Sequence, residues 1–217
     1  MRHRGLRMPV VFLRTVPAIV SAGVVLAVGA IAIGVRELGP SSLHMSMHIL
    51  AMNVGGPVLA VLLVTRCRLP ALSPAWLWTA ALVQLAALWG AHVPSVHNTA
   101  VASHVIQAGM HGILLLASLL FWVAVLALPD ARRWHAVAAL LLSGKLVCFL
   151  AILLVFAPRA LYGNHMHLSG LPALADQQLA GLLMIAACPL SYLLAAIIIT
   201  VQLINERFAA PSARTAR

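Results

Sequence analysis

The chain has 217 residues, 63% of them hydrophobic and only 8% charged, with a mean hydropathy of +1.02. This composition excludes a water-soluble domain, and several apolar runs reach the ~20 residues that cross ~30 Å of hydrocarbon. The net charge of +10 does not point to nucleic acid, because no basic run carries interleaved aromatics. It fits basic residues gathered on cytoplasmic loops beside a lipid bilayer.

Residues 1–14 form a basic N-terminal segment with Arg2, Arg4, Arg7 and Arg14. The apolar run from about Thr15 to Val35 exceeds a signal-peptide core and reads as an uncleaved first span. A second span runs from about Leu43 to Val64, with Gly55-Gly56-Pro57 expected to bend it. The third covers roughly Pro74 to Trp89, and an uncharged loop with His92 and His97 follows. The fourth runs from about Ala100 to Leu128, the fifth from Trp134 to Ala157 with Lys145 near its middle, and the sixth from Ala175 to Asn205. Residues 15–205 thus form the membrane domain, and 206–217 a short basic tail.

Orientation follows from the arginines. The N-terminus, second loop, fourth loop and C-terminus hold Arg2, Arg4, Arg7, Arg14, Arg66, Arg68, Arg132, Arg133, Arg207, Arg214 and Arg217, against Arg36 and Arg159 on the other loops. The expected fold class is therefore an all-α, polytopic transmembrane helical bundle of about six spans with both termini cytoplasmic. On that map only His3 and His135 lie inside. His44, His48, His92, His97, His104, His111, His165 and His167 all fall on outer loops or outer halves of spans. No topological rule for histidine produces this distribution; a functional site at the outer face does.

His44 and His48 stand one turn apart on one helical face, beside Met45, Met47 and Met52. Imidazole with thioether suits copper, and thioether favours Cu(I). Interfacial histidines with lipid-facing methionines are the plainer alternative. His104, Gln107 and His111 form a polar stripe that must face protein or water. It could serve a site or tie helices together. Asp176 either caps a helix start or orients a ligating imidazole. His165-Met166-His167 lies in a loop, as capture residues or solvated ones. Lys145 is expected to face the bundle interior or to snorkel. Cys67, Cys148 and Cys188 are too scattered for a disulfide framework and read as small buried hydrophobes.

Four segments resemble the CtaG family of bacterial cytochrome c oxidase assembly factors, the polytopic type. His44-Met45-Ser46-Met47-His48-Ile49-Leu50 is similar to its HMxxHxL opening. Trp89, His92 and Pro94 are similar to its tryptophan, histidine, proline loop. His111 stands before Phe121-Trp122 as in its Hx9FW span. Tyr162 and Asp176-Gln177-Gln178-Leu179-Ala180-Gly181-Leu182-Leu183-Met184 resemble its tyrosine and DQQxAGxxM signature. The likeness covers roughly residues 44–206. Two departures are Gln107, where the family often has a second histidine, and Gly56-Pro57 in place of a double proline.

The resemblance implies a bacterial inner-membrane protein that helps mature the copper centre of a haem–copper oxidase. The expected metal set is His44, His48 and His111, with Met45 or Met47 adding sulfur and Asp176 orienting or ligating. His92, His104, His165 and His167 would form an access route or a second site. The expected cargo is copper as Cu(I), and the partners are an oxidase subunit and a periplasmic copper chaperone. Two other classes stand beside this reading: a copper transporter, which needs ligands through the full bilayer, and a haem-binding redox protein with axial histidines. No nucleophile–base pair or cofactor fingerprint indicates an enzyme.

Overall fold

A computed structural model describes residues 38–67, 69–162 and 171–209. The predicted first span, the basic N-terminal segment, His165-Met166-His167 and the end of the tail lie outside these residues. Every regular element among the described residues is helical: α1 (Pro40–Ile49), a π-helical segment (Leu50–Gly55), α2 (Gly56–Arg66), α3 (Pro74–Ala91), α4 (Pro94–Ala102), α5 (His104–Leu126), a 3-10 turn (Asp130–Arg132), α6 (Trp134–Val155) and α7 (Ala173–Ala209).

Among the described residues, four helices are long and apolar enough to cross a membrane: Pro40–Arg66, His104–Leu126, Trp134–Val155 and Ala173–Glu206. A fifth span results if α3 and the following Pro94–Ala100 count as one, broken by a 74° bend. These five occupy the positions of the second to sixth predicted spans. Large apolar side chains such as Leu82, Val105, Ile113 and Phe156 lie on the outside, as a bilayer-facing surface requires.

One local expectation is corrected. The segment around His92 and His97 is not an open loop, because Pro94 starts a short helix there. The second span, where Gly55-Gly56-Pro57 is expected to introduce a bend, is helical throughout from Pro40 to Arg66. Proline lacks the N–H that a continuing α-helix needs, and the chain meets this with a π-helical turn. The Gly56 N–H reaches back five residues to the Ala51 carbonyl. In that register the Met52 carbonyl would pair with Pro57, which has no donor. The Ser118 hydroxyl on α5 donates to it instead, at 2.7 Å. Gly56 leaves room for this contact, since a Cβ there would overlap Ser118 Oγ.

The core divides into two layers. One, containing Leu77, Phe121, Trp122, Leu128, Leu140, Tyr192 and Ile199, has no sulfur-bearing residue among its buried members. The other contains Met45, Met52, Met110, Met184 and Cys188 along with Leu88, Leu114, Val147 and Tyr162. Lys145 is exposed on α6 and does not line the interior. Cys188 is buried, whereas Cys67 is exposed at the end of α2.

The Asp176-Gln177-Gln178 run ties three helix ends together. The Asp176 carboxylate accepts from the backbone N–H groups of Ser41 at 2.8 Å and Ser42 at 3.1 Å, and from the Ser42 hydroxyl at 2.6 Å. It therefore caps α1 from across the bundle, where Gly39 offers no side chain of its own. Any Cβ at Gly39 would collide with that carboxylate. Gln177 donates to the Leu154 carbonyl at 3.1 Å and accepts from the Leu161 N–H at 2.7 Å. Gln178 donates to the Val155 carbonyl at 3.3 Å. Helix ends leave such groups unpaired unless something else binds them. The run thus anchors α1 and the end of α6 to α7.

Candidate metal centre

Five histidines from four elements meet in one place. His44 and His48 come from the buried face of α1, His92 from the end of α3, His97 from α4 and His111 from α5. The His44 ring lies 4.3 Å from His48, 4.7 Å from His97 and 5.0 Å from His111, centroid to centroid. The His48 ring lies 4.7 Å from His111 and 5.6 Å from His92. All five are buried or half-buried. One ligand nitrogen from each of His44, His48 and His111 falls within 4.8 Å of the others. Two nitrogens on one ion at ~2.1 Å each stand at most ~4.2 Å apart, so small ring rotations close this set.

The hydrogen bonds decide which nitrogens face inward. His92 Nδ1 donates to the Leu88 carbonyl at 2.7 Å, and His111 Nδ1 to the Gln107 carbonyl at 2.8 Å. Each bond holds the tautomer that leaves a lone pair on Nε2. The Nε2 atoms of His44, His92 and His111, and both nitrogens of His48, are buried without a hydrogen-bond partner. Buried polar atoms of this kind are rare unless an ion or water meets them.

His44 Nδ1 faces the Gln107 side-chain amide, whose Nε2 lies 3.1 Å away. A donating amide puts the imidazole proton on His44 Nε2. Turned by half a rotation, the amide oxygen accepts from Nδ1–H and frees Nε2 for a metal. Gln107, the residue that departs from the family pattern, is thus the polar neighbour that sets His44's tautomer.

Tyr162 closes the site from the segment after α6. Its ring packs on His97 with centroids 3.9 Å apart, and its hydroxyl donates to the His92 carbonyl at 3.3 Å. Burial pushes the phenol pKa up, so Tyr162 stays a neutral donor across the physiological range.

A family model described as cytochrome c oxidase caa3 assembly factor (Caa3_CtaG) matches residues 1–206. The chain belongs to that family. Comparison with curated proteins and with solved structures found no match. The assembly factor thus carries a role in building the oxidase, and its apolar helices place it in a membrane.

Against the expected ligand set, the structure brings together His44, His48, His92 and His111 and leaves three residues apart. His104 is exposed at the first turn of α5. Met47 lies on the exposed flank of α1, whereas Met45 is buried beside His48. Asp176 is buried, but its oxygens are taken by the α1 N-terminus, so it neither orients an imidazole nor joins the cluster. Reasoning from sequence left His97 out of the ligand set. The signal for it was faint: a second histidine close after His92, in an uncharged segment.

Proposed function

We propose that this assembly factor binds Cu(I) as cargo at the imidazole cluster and supplies it to the copper centre of a haem–copper oxidase subunit. The observation that carries the reading is the convergence of unpartnered ring nitrogens from His44, His48, His92 and His111 in one buried site. His44, His48 and His111 would hold the ion. His92 and His97 would pass it to or from that set, beneath the ring of Tyr162. Neutral imidazole is a copper ligand, and a site without a carboxylate puts no extra negative charge on a monovalent ion. The distribution of arginines supports an outer-facing site in the bacterial inner membrane. A periplasmic copper chaperone would be the donor, and the role is binding and transfer without catalytic turnover.

The rival readings fit less well. The ring centroids stand 4.3 to 5.6 Å apart, which leaves no slot between them for a flat macrocycle, so axial ligation of haem is disfavoured. A transporter needs ligands through the full thickness, and the other core layer holds no thioether or thiol among its buried members.

Metal content and an optical spectrum of detergent-purified protein, beside His44→Ala/His48→Ala, test the proposal. Stoichiometric copper after anaerobic Cu(I) loading, lost in the variant and without haem bands, is the expected result. A Soret band, or no metal in the loaded wild type, would overturn it.

A further inference from the structure

Beneath the imidazole cluster lies a second feature with a different chemistry. A cavity of about 10 Å3 sits between the two core layers, lined in part by Met45, His48, Met52, Asn53, Met184 and Cys188. Its size suits one ion or one water and nothing larger. Met45, Met52, Met184 and Cys188 are 3%, 4%, 1% and 6% exposed. Three thioethers and a thiol thus line one small space. Methionine is a common core filler, but a filler explanation predicts sulfur in both core layers, and only one has it.

Two further observations point to a ligand there. His48 is 2% exposed, lines the cavity, and has both ring nitrogens unpartnered. One imidazole can bind two metals or relay one between its two sides, and among His44, His48, His92 and His111 this ring alone lacks a hydrogen bond on Nδ1 to fix it. The second observation is the π-helical turn, which carries both Met52 and Asn53. Asn53 accepts from the Ser191 hydroxyl at 2.7 Å, which turns its NH2 group toward Cys188 Sγ at 3.5 Å. That donor fixes the sulfur in place beside the cavity.

We infer that Met45, Met52, Met184 and Cys188, with His48 as the shared ligand, form a second, sulfur-rich site that takes a soft monovalent cation, Cu(I). The inference rests on the copper reading of the imidazole cluster for its direction of transfer, not for its ligands. Soft sulfur donors select Cu(I) over Zn(II) and over oxidised copper. The sulfur site gives the assembly factor selectivity that imidazole alone lacks, and His48 joins the two.

The test is X-ray absorption of the full-length, detergent-purified protein carrying selenomethionine and loaded anaerobically with Cu(I). Copper–selenium scattering is expected at both the copper and selenium edges, together with copper–nitrogen scattering. Met45→Leu/Met52→Leu/Met184→Leu conserves volume, a change that cores tolerate. It should remove the selenium feature and one equivalent of tightly held Cu(I) while leaving copper–nitrogen scattering. Cys188→Ala, in protein with ordinary methionine, should weaken the sulfur shell without abolishing it. Copper–nitrogen scattering with no selenium feature would overturn the inference and leave the imidazole cluster standing. A selenium feature that survives Met45→Leu/Met52→Leu/Met184→Leu would also overturn it. A selenium feature unchanged in His44→Ala/His111→Ala, with the nitrogen shell no larger than one imidazole in either protein, would sink the imidazole reading and keep this one. If neither shell forms, both fall.

Discussion

His44 and Gln107 show how single atoms decide what the cluster can bind. The amide of Gln107 is the polar group on His44 Nδ1, and a metal on Nε2 needs that amide to accept a hydrogen bond. Replacing it by Gln107→Leu removes the partner that orients the ring. Loss of such an outer partner costs ~10–100-fold in metal affinity, and a competitive chelator titration with Cu(I) should report a drop in that range with the stoichiometry unchanged. Asp176 behaves differently. Its three hydrogen bonds go to the start of α1. Asp176→Ala should therefore lower stability by about 2–4 kcal/mol in thermal unfolding, while folded protein still binds copper. Loss of copper with unchanged stability would show that the carboxylate acts on the metal after all.

At the scale of elements, the π-helical turn is the device that lets Pro57 sit inside a span. Its cost is the Met52 carbonyl, and the Ser118 hydroxyl offsets it at 2.7 Å. Ser118→Ala leaves a buried carbonyl unpaired and should destabilise by about 1–3 kcal/mol. Gly56→Ala should destabilise on its own, because the new Cβ meets Ser118 Oγ. The same change should cost less in a Ser118→Gly background. A double-mutant cycle by denaturant unfolding measures this coupling, and additive effects would refute the contact. At the opposite end of the bundle, Arg133 pairs with Asp130 at 2.7 Å and reaches Glu206 on α7 at 4.0 Å. That ties the turn between α5 and α6 to the last helix.

For the whole molecule, the arginine distribution and the position of the cluster make one joint statement about topology. Cys67 is exposed at the end of α2, beside Arg66 and Arg68. If the arginine-rich loops face the cytoplasm, a membrane-impermeant maleimide added to intact cells should leave Cys67 unlabelled and should label it after permeabilisation. Labelling in intact cells would invert the bundle and move the histidine cluster to the inner face. Cys188, buried at 6% exposure, should stay unlabelled until the protein unfolds.

Much of this was legible in the sequence, because hydrophobic length, arginine placement and helical spacing are local properties. They determined the membrane class, the positions of five described helices, and the pairing of His44 with His48 on one face. The DQQxAGxxM run was legible as a signature, but not as a knot of helix ends, because its partners Ser41, Ser42, Leu154 and Leu161 are distant in the chain. Only the tertiary structure decided which outer histidines converge. His97 and His104 are similar in sequence context, yet the 74° bend after α3 carries His97 inward and leaves His104 outside. The gathering of Met45, Met52, Met184 and Cys188 around one cavity likewise depends on how α1, the π-helical turn and α7 are rotated against each other. Side-chain packing between helices sets that rotation, and no local pattern in the chain encodes it.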